Sequence, residues 1–288
     1  MVLRKKLKKS VGSTKAVRPV STIKLPTTRN VPSTSLSDYS MLLYGAKKIG
    51  KTSLASKFPD AYFLSFEPGT RALKVFSSEI KSWRDFTSIL SQLEAGQHKF
   101  RTIVVDTVDI MYERAWQDVC EKKHIQDPAD ENDFGRTFRE IETVFSTGFY
   151  RLMSLDLGII FVSHDEEKEI TMRDGSKIDR VQPTMHKRAM KVIEAPVDII
   201  ANYCYNGSER YLRIDGAEET VSGNRLESNF RTTSGERVSQ ISMGTSSDEA
   251  YAAFIAAFEN KQTKADATVT AAPQKRSVRL KNRTGDTK

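Results

Sequence analysis

The stretch "MLLYGAKKIGKTSLASKF", residues 41–58, decides the reading of this chain. Gly45 to Thr52 fit G-x-x-x-x-G-K-[ST]. Leu42, Leu43 and Tyr44 ahead of the loop read as the end of an apolar strand, and Ser53 to Lys57 behind it as the start of a helix. That strand, loop and helix order is the setting of a phosphate-binding P-loop. Gly45 and Gly50 let the backbone curl so that its N–H groups face inward, and the helix N-terminus adds positive potential where phosphates would sit. ATP is expected on Gly45, Ala46, Lys47, Lys48, Ile49, Gly50, Lys51, Thr52 and Ser53. Lys51 would reach the β- and γ-phosphates, and Thr52 would ligate Mg²⁺.

Composition bounds what can surround the loop. The chain has 288 residues, 38% of them hydrophobic, enough for one sizeable α/β core with tails to spare. Its net charge of +8 is uneven: residues 1–36 hold nine Lys/Arg and no acid, and residues 263–288 hold seven Lys/Arg and two acids. The middle is therefore acidic, and the basic balance belongs to the ends. Both ends are poor in aromatics, rich in Ser, Thr and Pro, and without a sustained period, so 1–36 and 263–288 are expected to be disordered basic tails. Such arms suit the phosphate backbone of nucleic acid, or serve only to solubilise. Cys120 and Cys204 form neither a C-x-x-C pair nor a disulfide framework. No apolar run approaches the length of a membrane span. A soluble, cytoplasmic protein without a membrane partner is expected.

A P-loop needs carboxylates, and two apolar runs end in them. Ala61 to Phe66 reads as a short buried strand followed by Glu67-Pro68-Gly69. Glu67 is either the group that polarises the attacking water or a solvated turn acid. Thr102 to Val105 ends in Asp106, the expected carboxylate on the Mg²⁺ side, while Asp109 is expected to cap the helix beginning near Ile110. From Asp133 to Leu155, the spacing of Phe134, Phe138, Ile141, Phe145, Phe149 and Leu152 predicts a packed helix. Ile159 to Val162 then forms another strand, ending in Ser163 and His164, where a polar group would face the γ-phosphate. Two alternating segments around Asp174-Gly175 read as a hairpin. Lys187, Arg188 and Lys191 follow, either as fingers toward a phosphate or as a solvated cationic turn. Val197 to Tyr203 reads as a strand, about 203–242 as a β-rich extension, and Ser246 to Phe258 as a closing amphipathic helix.

Taken together, "YGAKKIGKTSLA", "FLSFEPG", "IVVDTVDIMYERA", "DFGRTFREIETVF" and "IIFVSH" resemble the phage-encoded RecA-like P-loop ATPases, a group that includes single-strand annealing proteins and single-domain recombinases. The likeness spans roughly Ser40 to Tyr205. It implies a RecA-like α/β domain over 37–262, with a mainly parallel sheet flanked by helices. It also implies Glu67 as catalytic glutamate, Asp106 as the second metal-side carboxylate, and His164 as the polar sensor. Asp165 to His186 would be a DNA-facing loop, with Lys187 and Arg188 nearby. The expected function is Mg²⁺-dependent ATP hydrolysis with Glu67, Lys51, His164 and Arg188 as catalytic groups, serving single-stranded DNA annealing or recombination. The expected partners are single-stranded DNA, further copies of the chain and a single-stranded DNA-binding protein. A DNA-translocating motor or a small-molecule phosphotransferase would use the same loop.

Overall fold

The computed structural model describes residues 25–263. The tail expectations over 1–24 and 264–288 lie outside these residues. Residues 25–32 are exposed and hold neither helix nor strand. Described by itself, the unit from Ser33 onward starts in a short 3-10 turn, Leu36–Asp38, whose Leu36 is buried.

Four apolar runs become parallel strands: β1 (Met41–Gly45), β2 (Ala61–Ser65), β4 (Thr102–Asp106) and the first half of β5 (Gly158–Thr171). Every residue of the first three is buried, the pattern of strands covered on both faces. With β3 (Phe76–Glu79), β6 (Lys177–Pro183), β7 (Ile199–Asn206), β8 (Glu209–Arg213), β9 (Gly223–Asn224) and β10 (Gln240–Ser242), they form a ten-stranded sheet of order β10-β8-β7-β1-β5-β4-β2-β3. β6 pairs off β5 and β9 off β7. The run from β7 to β3 is parallel; β8, β10, β6 and β9 join antiparallel.

Strand alternation sends side chains to two cores. Leu42, Leu64, Val105 and Phe161 meet α2 (Trp83–Glu94), α3 (Val108–Lys123), α4 (Arg136–Met153) and α5 (Lys187–Glu194) on one face. Leu43, Phe63, Val104 and Val162 meet α1 (Lys51–Ala55) and α6 (Ser247–Phe258) on the other. Phe149 of α4 lies 5.1 Å, centroid to centroid, from Phe161 of β5, and both are fully buried. Truncating such a phenylalanine to alanine costs about 3–5 kcal/mol. The expected α/β fold, a mainly parallel sheet flanked by helices, is thus present.

Three local expectations change. The helix expected from Asp133 begins at Arg136, because Gly135 takes φ 77° and Asp133 accepts from the Arg136 and Thr137 amides as a cap. Phe134 therefore stands ahead of the helix, 92% exposed, and does not join the stripe that Phe145 and Phe149 continue. The strand expected to stop at His164 runs on to Thr171 and pairs with β6 in a two-stranded ribbon, turning at Asp174-Gly175 as predicted. Asp109 caps nothing: the chain turns at Thr107, α3 starts at Val108, and the Asp109 side chain faces β5.

Candidate nucleotide site

Register brings the strand ends together. Gly45 pairs with His164 across β1 and β5, Val162 with Asp106 across β5 and β4, and Asp106 with Ser65 across β4 and β2. The ends of parallel strands are where open α/β sheets bind ligands. Gly45 admits no side chain, since a Cβ there would fall 2.0 Å from the Tyr203 carbonyl oxygen. Gly50 takes φ 112° just before α1, a conformation that L side chains rarely adopt. Together they close the loop over which Lys47 and Lys48 stand exposed.

Lys51 is 5% exposed and spends two donors on the carbonyls of Gly45 (2.6 Å) and Ala46 (2.9 Å). Its ammonium also reaches His164 Nδ1 at 3.4 Å. An ammonium only donates, so Nδ1 accepts, and the proton of a neutral His164 sits on Nε2, which lies 3.6 Å from Glu67 Oε2. Burial lowers the Lys51 pKa, while Asp165, Asp106, Asp109 and Glu67 oppose the shift. The four carboxylates thus favour the charged ammonium that burial disfavours.

On the other side of this cluster, the Thr52 hydroxyl donates to Asp106 Oδ2 at 2.9 Å. Burial raises the Asp106 pKa against that hydrogen bond. Gly69 closes over the pair: a Cβ there would lie 3.3 Å from Asp106 Oδ2 and 3.8 Å from Thr52 Oγ1. A hydroxyl, a carboxylate and a floor cleared by glycine form a hard-oxygen pair of the kind Mg²⁺ uses beside phosphates. Among the described residues no group of three or more His, Cys, Asp or Glu is gathered for a metal.

Glu67 hangs on the same frame. The amides of Phe66 and Glu67 both donate to the Asp106 carbonyl, at 2.7 and 3.1 Å, and the Thr107 hydroxyl donates to Glu67 Oε1 at 2.8 Å. Its second oxygen faces His164. Thr107 went unread in the sequence, where a hydroxyl after Asp106 is its only signal. Asp109, whose place in the sequence suggests only a cap, accepts at Oδ1 from Thr184 (2.6 Å) and Ser163 (3.0 Å), while burial raises its pKa. Arg188 does not join the cluster. On α5 its guanidinium donates to Glu142 at 3.1 Å and lies 5.4 Å from the centre of the Phe138 ring.

The family model described as "AAA domain" (AAA_24) matches residues 37–226, more than half of the chain. The chain belongs to this family. The AAA_24 span contains the P-loop, Glu67, Asp106, His164 and Arg188, and it marks the molecule as a nucleotide-binding P-loop ATPase. Over 170 residues the chain is 29% identical to the SPbeta prophage-derived uncharacterized protein YorG of Bacillus subtilis (strain 168). That match takes in 57% of this chain and 50% of the relative, so the chain spans half the relative's length. Among solved structures it is similar to the RadB recombinase at 12% identity and a TM-score of 0.37, over 62% of this chain and 80% of that one. No helix among the described residues is long and apolar enough to cross a membrane.

Proposed function

We propose that this AAA_24 protein is a phage-type, Mg²⁺-dependent ATPase that uses hydrolysis to handle single-stranded DNA in annealing or recombination. The carrying observation is convergence: Lys51, Thr52, Glu67, Asp106 and His164 come from four separate stretches and meet within hydrogen-bond or ion-pair reach at one sheet edge. Lys51 holds charge for the β- and γ-phosphates. Thr52 and Asp106 would hold Mg²⁺, which when bound neutralises charge on the phosphates. Glu67 has one oxygen fixed by Thr107 and takes a proton from the attacking water on the other. His164 sits between Lys51 and Glu67, where a change at the γ-phosphate reaches β5.

Support for the DNA part comes from charge. Lys187 and Lys191 are exposed on α5, and the chain's ends are basic. The ribbon from Asp165 to His186 is less suited to phosphate, with six acids against four Lys/Arg. DNA contact is accordingly assigned to α5 and the basic ends rather than to the ribbon. A second copy and a single-stranded DNA-binding protein are the further partners of this reading.

The test is steady-state ATP hydrolysis by wild type and Lys51→Ala, with and without single-stranded DNA, at low and moderate salt. The expected result is turnover raised several-fold by DNA and abolished by the substitution. Lys51-dependent turnover indifferent to DNA would remove the nucleic-acid part and leave the ATPase.

A further inference from the structure

A cleft of about 800 Å³ opens beside the P-loop, across β1 from the Asp106 strand. Lys48, Gly50 and Ser53 line it from the loop, Tyr205 and Arg210 from the β7–β8 hairpin, and Thr245 from the link into α6. Strand alternation explains how Tyr205 comes to be there. Tyr203, two residues earlier on the same face of β7, is 1% exposed and passes under Gly50, its Cε1 4.0 Å from where a Cβ on that glycine would stand. Tyr205 continues the face beyond the loop and remains 54% exposed. It is a large ring left open at the rim of a cleft.

Arg210 lies directly opposite Tyr205 in register. Its Nε and Nη2 both donate to the Gly244 carbonyl, at 3.1 and 3.0 Å, which fixes the plane of the guanidinium. The remaining nitrogen, Nη1, lies 3.4 Å from the Cβ position of Gly50. A clamped guanidinium thus leans over the second glycine of the P-loop, with an open aromatic ring beside it. Neither feature serves the core, and neither belongs to the phosphate-binding cluster around Lys51.

We propose that this cleft receives the nucleoside end of the nucleotide, with the base lying on the Tyr205 ring and Arg210 Nη1 donating to an oxygen where sugar meets phosphate. Stacking on an aromatic face is available to any base and needs no hydrogen-bond edge. Glu209, the one carboxylate lining the cleft, is engaged by the Tyr211 hydroxyl. The site therefore selects a nucleoside triphosphate over a bare polyphosphate, and Tyr205 supplies the difference. The proposal rests on the P-loop reading, because the cleft is useful only next to a bound triphosphate.

The test is calorimetric titration of the full chain, with Mg²⁺ present, by ATP and by inorganic tripolyphosphate. Wild type should bind ATP more tightly than tripolyphosphate. Tyr205→Ala should weaken ATP by about tenfold to a hundredfold and leave tripolyphosphate unchanged, while Tyr205→Phe keeps wild-type behaviour. Tyr205 is half exposed, so the melting temperature should hold in both variants. Unchanged ATP affinity in Tyr205→Ala would overturn the nucleoside assignment with the P-loop intact. Tripolyphosphate binding that Lys51→Ala fails to weaken would instead overturn the P-loop reading.

Discussion

β5 is one strand with two halves built on opposite principles. From Gly158 to Ser163 it lies between β1 and β4 and every residue is buried; from Glu166 to Glu169 it pairs only with β6 and every residue is exposed. The inner half is a continuous apolar run whose register delivers His164 to Lys51. The outer half is a charged ribbon, with Glu169 ion-paired to Lys177 and Glu166 accepting from Gln182. Its charges also discourage edge-to-edge pairing with another sheet. Between the halves the ribbon is fixed at its foot. The Tyr44 hydroxyl donates to the Val181 carbonyl at 3.3 Å, the Thr184 amide to the His164 carbonyl at 3.0 Å, and the Thr184 hydroxyl to Asp109. Chemistry is thus concentrated where the strand is buried, and adaptable surface where it is not.

The sharpest break of that contrast is Glu67→Gln. The amide keeps the size of the side chain and can still accept from Thr107, but it cannot take a proton. ATP hydrolysis should fall about 10²–10⁴-fold while ATP affinity, read by calorimetry, stays near wild type. Unchanged turnover would make Glu67 a turn acid that Thr107 happens to hold. Thr107→Val should then also be silent, whereas a positioning role predicts a smaller loss in kcat than Glu67→Gln produces.

The inner half and the site around it were legible because their signals are local. "IIFV" is an unbroken apolar run before Ser163 and His164, a P-loop is eight consecutive residues, and Asp106 ends a Val/Ile run. The outer half was less so: "SHDEEKEITM" shows where apolarity stops, not whether the strand does, and hydrogen bonds to β6 carry it on to Thr171. Asp109 looked like a cap because capping needs only a short acid near a helix start; its partners Ser163 and Thr184 are distant in sequence. Phe134 kept the helical spacing, but the helix starts only after Gly135 and leaves Phe134 outside it. Tyr205 and Arg210 carry no motif, and only the β7–β8 register sets them against the P-loop.

A second test sharpens the electrostatic side of the comparison. If the ribbon's acids keep DNA phosphates away, the triple variant Glu166→Gln, Glu167→Gln, Glu169→Gln should bind single-stranded DNA about three- to tenfold more tightly at low salt. The gain should fade as ionic strength rises and the Debye length contracts. DNA-independent hydrolysis should not move, since all three side chains are exposed. Equal affinity at low salt would mean that bound DNA passes beyond reach of the ribbon's field.

The smallest effect, that of Asp109→Asn, sits at the joint between the two halves. Asp109 gives Oδ1 to two hydroxyls, while its Oδ2 is buried without a hydrogen-bond partner. Burial holds its pKa above the ordinary carboxylate range, against the Thr184 and Ser163 hydrogen bonds. Between the unfolded and folded pKa values the unfolded chain binds fewer protons, so this group's contribution to stability falls as pH rises, and the full loss is present above the folded pKa. Asp109→Asn keeps an acceptor for both hydroxyls and carries no charge. It should therefore be more stable than wild type by roughly 0.5–1 kcal/mol at neutral pH, with the advantage shrinking toward zero as pH falls below the unfolded value. Asp109→Ala should go the other way, costing about 1–3 kcal/mol, because it leaves Ser163 and Thr184 without their acceptor. Urea unfolding of both variants across pH separates the two effects: a joint held by hydrogen bonding predicts opposite signs for Asn and Ala, whereas a joint held by the charge itself predicts that both lose stability.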